Sequence, residues 1–258
     1  MIDTLQHGPI LELRLNRPPV NALSPELMLA LRQAVDAAAH DGSRAIVLSG
    51  MPRRFSAGLD LPLLLTFDRA RIVELWHNLY DLLTTIAGSP LPVAAAITGH
   101  APAGGTVLTL FCDWRVMASG DWKVGLNEVQ VGLTLPGVIF RALKLVVGHR
   151  QADRLATTGL LMAPEEALGI GLIDEVAPAE CVVPRAIQWC QALVALPARA
   201  MTGTRAQSRA ELVEIFRQDL KNEFDEILEM WWSPETQSTL RGVVEQLGKK
   251  KLNSAKTS

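Results

Sequence analysis

One acidic side chain in this sequence has the surroundings expected of a catalytic base. Glu128 is the only acid in the segment KVGLNEVQVGL, residues 123–133. Its apolar neighbours are Val124, Leu126, Val129, Val131 and Leu133. A carboxylate held among such side chains has its charged form disfavoured, which raises its pKa toward that of a useful base. The plainer interpretation is a loop glutamate that faces water, and spacing alone favours it.

Two loops rich in small residues could bind an oxyanion. They read FSAGLD at residues 55–60 and HAPAGGT at residues 100–106, each after a predicted buried strand. Small residues leave the backbone open to a ligand, and the second loop begins a predicted helix, where amides lack partners. Packing or turn geometry explains such loops equally well, and each loop alone favours that explanation.

Other common catalytic signatures are absent from the sequence. It contains no GxSxG, GxxxxGK[ST] or GxGxxG motif, and its five histidines lack metal-ligand spacing, so we predict no metal site. Cys112 lies in a predicted apolar helix and is expected in the core. His100 stands beside a glycine, which by itself is more typical of a turn residue than of a base.

Composition limits the class of protein. Of 258 residues, 48% are hydrophobic and 20% are charged, which predicts a folded chain with a large core. The net charge of −2 offers no field for nucleic acid or an acidic membrane. Three cysteines without CxxC spacing favour a reducing compartment. With no signal pattern and no apolar run of the ~18 residues that span a bilayer, we expect a cytoplasmic protein.

Residues 8–120 alternate between strand and helix patterns, which indicates an α/β core. PILELRLNRP, RAIVLSG, LPVAAAITG and WRVMAS read as strands. Ser24-Pro25 begins one helix, apolar spacing from Ile72 gives a second, and GGTVLTLFC gives a third.

The chain becomes helical after Pro178. Apolar residues from Leu212 to Trp231 repeat at helical spacing, and Ser233-Pro234-Glu235 begins a last helix. We predict a core over residues 1–195 and a helical C-terminal region over residues 196–258. The apolar stripe and the pair Trp231-Trp232 exceed what one core needs, so we expect this region to mediate assembly.

Taken together, these stretches resemble the crotonase (enoyl-CoA hydratase/isomerase) superfamily, from about residue 10 to residue 245. RFSAGLDL is similar to its first oxyanion loop, and AAITGHAPAGGTVLTLFCD to its second loop and the following helix. GLNEVQVGL and GHRQADRLATTGLLMAPEEALGIGLIDEVAP are similar to its central blocks. The four blocks occur in the family's order. The resemblance implies a spiral of ββα turns with a helical C-terminal region, packed as a homotrimer or homohexamer.

The resemblance also implies an acyl-CoA substrate, with coenzyme A part of the substrate and no separate cofactor. The oxyanion amides would belong to Leu59 and Gly104, and Glu128 would be the catalytic acid–base group. Further substrate contacts are implied at Ser56, Ala57, Gly58, Asp60, Leu61, Ala103 and Val107.

The sequence departs from the hydratase pattern at one decisive position. Hydratases of the family use two glutamates; the second corresponds to Glu128, but the first position holds Val107. The mixture of motifs most resembles mitochondrial-type Δ3,Δ2-enoyl-CoA isomerases, which keep one glutamate. Moving a double bond requires a proton to leave C2 and return at C4, which one carboxylate can do.

Several alternatives remain open at this stage. A hydratase working with one glutamate and a loosely held water is the nearest, and thioester hydrolysis by another recruited residue is a second. A non-catalytic acyl-CoA-binding or RNA-binding relative is a third. The near-neutral charge speaks against RNA, and the retained Glu128 speaks against loss of catalysis.

Overall fold

The computed structural model describes residues 1–217 and 220–255, with side chains through residue 249. Its strands, in chain order, are β1 Ile2–His7, β2 Ile10–Leu15, β3 Ala45–Ser49, β4 Arg53–Arg54, β5 Val93–Ile97, β6 Gly99–Pro102, β7 Trp114–Ala118, β8 Val124–Gly125 and β9 Glu175–Ala177. Its α-helices are α1 Pro25–Ala38, α2 Leu61–Leu64, α3 Arg69–Gly88, α4 Gly104–Leu110, α5 Gly137–Val147, α6 His149–Thr158, α7 Pro164–Gly169, α8 Val182–Val194, α9 Ala198–Ser208, α10 Ala210–Glu214, α11 Lys221–Trp231 and α12 Pro234–Ala255.

The main sheet has the strand order β1-β2-β3-β5-β7-β9. Only the β1–β2 pair is antiparallel; the other neighbours are parallel. Strands β3 and β5 are buried at every position, as expected of parallel strands covered on both faces. The predicted α/β core is therefore confirmed.

A second, smaller sheet consists of β4, β6 and β8. Each follows a strand of the main sheet after a short connection, in the pairs β3–β4, β5–β6 and β7–β8. Helices α2 and α3 follow the first pair, and α4 follows the second. The chain thus forms a spiral of ββα turns, in agreement with the expected fold. Pairing of the short strands brings the ends of successive turns together.

Among the described residues, the C-terminal part consists of helices and short connections, and no strand follows β9. The stripe from Leu212 to Trp231 is not one long helix, because α10 passes into a 3-10 turn at Ile215–Arg217 and α11 begins afresh at Lys221. Residues 218–219 between them, and residues 256–258 of the predicted C-terminal region, lie outside the described residues. The boundary at residue 195 stays a prediction.

The single chain buries most of the stripe, while Phe216, Leu220 and Phe224 are only partly buried, so the expectation that the stripe exceeds the needs of one core stays a prediction. Its inward positions are buried within the single chain: Leu212, Ile215, Ile227, Leu228 and Trp231. Trp231 is 1% exposed, and only the neighbouring Trp232 reaches solvent, at 38%. The stripe packs against α3 through α10 and α11, and against α5 through the 3-10 turn Ile215–Arg217. Among the described helices, none is long and apolar enough to cross a membrane.

Candidate active site

A cavity of about 240 Å³ lies where the spiral turns meet. Its wall includes seven of the ten residues that the sequence predicts for the site: Ala57, Leu59, Leu61, Ala103, Gly104, Val107 and Glu128. The cavity thus brings together the two small-residue loops, α4 and the segment of Glu128. The remaining wall is largely apolar, which suits a hydrocarbon chain.

Three predicted contact residues, Ser56, Gly58 and Asp60, do not line this cavity. The Ser56 hydroxyl is fully buried, donates to the Asn21 carbonyl at 2.7 Å and accepts from the Gly58 amide at 3.2 Å. Asp60 forms an ion pair with Arg17 at 2.7 Å and caps α2 through the Leu63 amide. These side chains are committed to shaping the first loop.

Residues 20–23 hold the first loop in place. The amide of Leu23 donates to the Gly58 carbonyl at 2.7 Å, and the Asp60 amide donates to the Leu23 carbonyl at 3.0 Å. The Asn21 side-chain amide donates to the Phe55 carbonyl at 2.9 Å. Because these bonds fix the Gly58 carbonyl on one side of Leu59 and the Asp60 amide on the other, the loop presents its backbone to the cavity in one orientation.

The second loop is held through Thr106. Its hydroxyl donates to the Ala101 carbonyl at 2.5 Å and accepts from the Gly125 amide at 2.8 Å, so it joins α4 to β6 and β8. Glycine is required at position 105, where a Cβ would lie 2.6 Å from the Ser56 carbonyl oxygen. Ala103 has a φ of +48°, a conformation that alanine rarely adopts. Such strain concentrates at functional loops.

The amides of Leu59 and Gly104 are candidates for an oxyanion hole. Neither donates a hydrogen bond to a backbone or side-chain group that the structure describes. The loops that carry them touch, since a Cβ on Gly104 would lie 3.1 Å from the Gly58 Cα. Two unpaired amides on touching loops at one cavity wall can together bind an anionic oxygen.

Glu128 is the first residue of the 3-10 turn Glu128–Val131, which two residues separate from the end of β8. Its Oε2 atom is buried and has no hydrogen-bond partner within the described part of the chain. Burial raises the pKa of Glu128 to about 7. This carboxylate is therefore not the water-facing loop residue that spacing alone favoured, and near neutral pH it can both accept and return a proton.

Val107 lines the cavity from the first turn of α4 and is 2% exposed. Of the residues that line the cavity in the described chain, Glu128 alone can ionise. No group of three His, Cys, Asp or Glu side chains suited to a metal ion occurs among the residues that the structure describes. The arrangement can remove a proton from carbon next to a carbonyl and stabilise the enolate that results.

Sequence reasoning missed several lining residues. Asn127 directly precedes Glu128, and Val243 and Leu247 lie on α12. Asn127 was within reach, since it adjoins the predicted base, and its Oδ1 atom is buried without a partner in the described residues. The contribution of α12 had no local signal, because it arises from how the C-terminal helices fold back.

Comparison with known proteins places this site in context. A family model described as enoyl-CoA hydratase/isomerase matches residues 6–246. The chain is 36% identical over 200 residues to the Homo sapiens protein named enoyl-CoA delta isomerase 1, mitochondrial, covering 76% of this chain and 66% of that protein. It is 35% identical over 196 residues to a Mycobacterium avium protein named probable enoyl-CoA hydratase echA17, covering 75% and 76% of the two chains.

Among solved structures, human mitochondrial delta3-delta2-enoyl-CoA isomerase superposes with a TM-score of 0.92. The superposition covers 97% of this chain and 99% of that one, at 29% sequence identity. The crotonase-like fold expected from the four sequence blocks is thereby confirmed, including its helical C-terminal region.

Proposed function

Because the chain belongs to the enoyl-CoA hydratase/isomerase family, we propose that it converts a 3-enoyl-CoA into a 2-enoyl-CoA. The observation that carries this proposal is the single carboxylate of the cavity. Glu128 is the one ionisable lining residue in the described chain, and Val107 occupies the position where the hydratase pattern has the first of its two glutamates.

In the proposed reaction Glu128 removes a proton from C2 of the acyl chain. The electrons of the broken C–H bond form a dienolate whose negative charge rests on the thioester oxygen. That oxygen accepts hydrogen bonds from the amides of Leu59 and Gly104, which are unpaired within the described residues. The protonated Glu128 then delivers its proton to C4, the thioester carbonyl re-forms, and the double bond lies between C2 and C3.

The substrate lies in the cavity with its thioester between the two loops. Ala57 and Ala103 line the wall beside the amides and leave room for the sulfur and carbonyl. Leu61, Trp76 and Leu79 supply apolar surface for the hydrocarbon chain. Ser56, Gly58 and Asp60 do not line the cavity and contribute by fixing the conformation of the first loop. The reaction needs no cofactor beyond the coenzyme A carried by the substrate.

Hydration of a 2-enoyl-CoA is the second candidate. Relatives named as probable enoyl-CoA hydratases support it, and the Asn127 side chain, which lines the cavity beside Glu128, could orient a water molecule. Separate incubations with 3-enoyl-CoA and with 2-enoyl-CoA, each followed for both products, distinguish the candidates. Faster loss of the 3-enoyl substrate supports the isomerase; faster formation of 3-hydroxyacyl-CoA supports the hydratase.

We propose that the chain assembles as a homotrimer or homohexamer. The support is the family resemblance, because most of the apolar stripe is buried within the chain. Light scattering at micromolar concentration checks the proposal, with a mass three or six times that of one chain as the expected result. A monomer would contradict it.

A cytoplasmic location is proposed on chemical grounds. Cys112, Cys181 and Cys190 are all unpaired, as is typical of a reducing compartment. Fractionation of the producing cell with an antibody against the chain tests this location, and recovery of the protein in an oxidising compartment would contradict it.

A further inference from the structure

The C-terminal helix is joined directly to the turn that carries Glu128. We infer that Thr236, in the first turn of α12, is a positioning residue that fixes the orientation of Glu128. The inference rests on the role of Glu128 in the proposed function. It assigns a task to a residue that lies more than 100 positions away in sequence and that does not line the cavity.

The joining contact is a buried hydrogen bond. The Thr236 hydroxyl donates to the Gly132 carbonyl at 2.8 Å, and Thr236 is 3% exposed. Gly132 ends the 3-10 turn of Glu128 with a φ of +78°, a conformation that favours glycine. The bond therefore holds the exit of the turn at the point where its backbone reverses.

Glu128 depends on this turn because little else holds its side chain. Its carboxylate accepts no hydrogen bond from another side chain of the described residues, and Oε2 is wholly unpartnered. Just after the turn, the Leu133 amide donates to the Glu128 carbonyl at 3.0 Å. The direction of the carboxylate is thus set by the backbone of the turn. Thr236, on α12, holds that backbone through the hydrogen bond from its hydroxyl to the Gly132 carbonyl.

Two neighbouring contacts make the attachment specific. A Cβ placed on Gly132 would lie 3.0 Å from the Thr239 Cβ, so α12 packs closely against the turn one helical turn further on. The Thr134 amide donates to the Met230 sulfur at 2.9 Å. The same α12 contributes Val243 and Leu247 to the cavity wall. Helix α12 therefore both lines the cavity and holds the 3-10 turn that carries Glu128.

The test compares three single variants with the wild-type enzyme. Thr236→Val keeps the shape of the side chain and removes the hydroxyl, whereas Thr236→Ser keeps the hydroxyl. Thr239→Val is the matched control, because among the described residues the Thr239 hydroxyl bonds within α12 alone, to the Glu235 carbonyl at 2.9 Å. Thr236→Ala replaces Thr236→Val in every measurement if the latter does not fold.

Misplacing a base by a fraction of an ångström lowers kcat more than it alters binding. We expect Thr236→Val to lower kcat for 3-enoyl-CoA by about 10- to 100-fold, with KM changed less than about threefold. Thr236→Ser and Thr239→Val should stay within about threefold of wild type. Water admitted to the loosened turn should lower the pKa of Glu128, so the acidic limb of the kcat profile should move to lower pH.

A second measurement needs no catalysis. The melting temperature of Glu128→Gln minus that of wild type should grow as pH rises from about 5 to about 8, since burial penalises the ionised carboxylate. The same difference, measured in the Thr236→Val background, should grow less. If 3-enoyl-CoA is not turned over at all, the proposed function fails, and this stability difference alone decides the role of Thr236.

The inference is overturned if Thr236→Val matches Thr239→Val in kcat and leaves the pH-dependent stability difference unchanged. A fall in melting temperature without either effect would make Thr236 a packing residue of α12. Restoration of both readouts by Thr236→Ser would confirm that the hydroxyl itself acts on Glu128.

Discussion

Val107 and Glu128 line the same cavity, the first from α4 and the second from the turn after β8. Valine has no proton to give and no atom that accepts a hydrogen bond. The proposed chemistry therefore depends on one carboxylate and two backbone amides, and each part can be tested separately.

Replacing Glu128 with glutamine should abolish turnover while the protein still binds acyl-CoA. General acid–base groups contribute about 10²- to 10⁴-fold, and here one group serves both proton transfers. Initial rates with 3-enoyl-CoA measure the loss, and calorimetric titration with 2-enoyl-CoA checks binding. Retention of more than about a tenth of wild-type kcat, a difference of ~1.4 kcal/mol, would show that Glu128 is not the base.

The rate should depend on pH through the same residue. Glu128 must be ionised to take a proton, and burial raises its pKa to about 7. We expect kcat/KM to fall as pH drops through about 7 and to level off above it. A profile that is flat from pH 5 to pH 8, or an acidic limb near the ordinary carboxyl value of 4.5, would contradict a buried base.

A rise in pH should lower the stability of the folded protein while it raises kcat/KM. The folded protein retains a proton that the unfolded chain releases near the ordinary value of 4.5, so the free energy of unfolding falls as pH rises toward about 7. Relative to wild type, Glu128→Gln should gain stability over that interval, by roughly 3 kcal/mol at most. Thermal melts at several pH values measure the gain, and an equal difference at every pH would contradict it.

The amides of Leu59 and Gly104 should lose their joint binding of the thioester oxygen if the two loops are pushed apart. A Cβ at Gly104 would lie 2.8 Å from Leu23 Cδ1 and 3.1 Å from Gly58 Cα, so it presses on the first loop rather than entering the cavity. We expect Gly104→Ala to lower kcat by about 10²-fold, near the effect of losing one oxyanion donor. Gly104→Val, with two more methyl groups, should cost both rate and stability.

The matched control for Gly104→Ala is Gly88→Ala, since a Cβ at Gly88 meets nothing within 4 Å. Gly88→Ala should leave kcat unchanged. Circular dichroism melting beside the kinetics separates the two interpretations of Gly104. A lower melting temperature with full activity in the folded fraction would mean that this glycine serves packing alone.

Much of the fold was predictable because its longer elements carry their own periodicity. Strand β3 is a continuous apolar run, and α1 begins at the Ser24 cap, whose hydroxyl accepts from the Leu27 amide. The short strands β4, β6 and β8 were not predicted. With two to four residues each, they are defined by their pairing with one another and not by any pattern of their own.

The position of the candidate site was predicted better than its construction. The four family-like blocks located Glu128 and both loops, but Ser56, Gly58 and Asp60 do not line the cavity and instead make hydrogen bonds and an ion pair that fix the first loop. Periodicity identified the apolar stripe of α10 and α11 without saying which surface it meets. Burial of Trp231 is a consequence of chain reversal, which no local pattern records.

The last prediction concerns the balance between isomerisation and hydration, which Val107 should decide. Because it cannot orient water, it should keep its side of the cavity dry and protect the dienolate from protonation at the wrong carbon. We expect 3-enoyl-CoA to be isomerised much faster than 2-enoyl-CoA is hydrated.

Val107→Glu should raise hydration at some cost in stability, since it buries a new acid; Val107→Leu is the control that changes size without adding a polar group. In heavy water, part of the hydrogen taken from C2 should reappear at C4, because one carboxylate carries it across. Full exchange with solvent would show that the proton of Glu128 is replaced before delivery. Wild-type hydration as fast as isomerisation would defeat the one-carboxylate argument, because water would then be held in this cavity without a second acid.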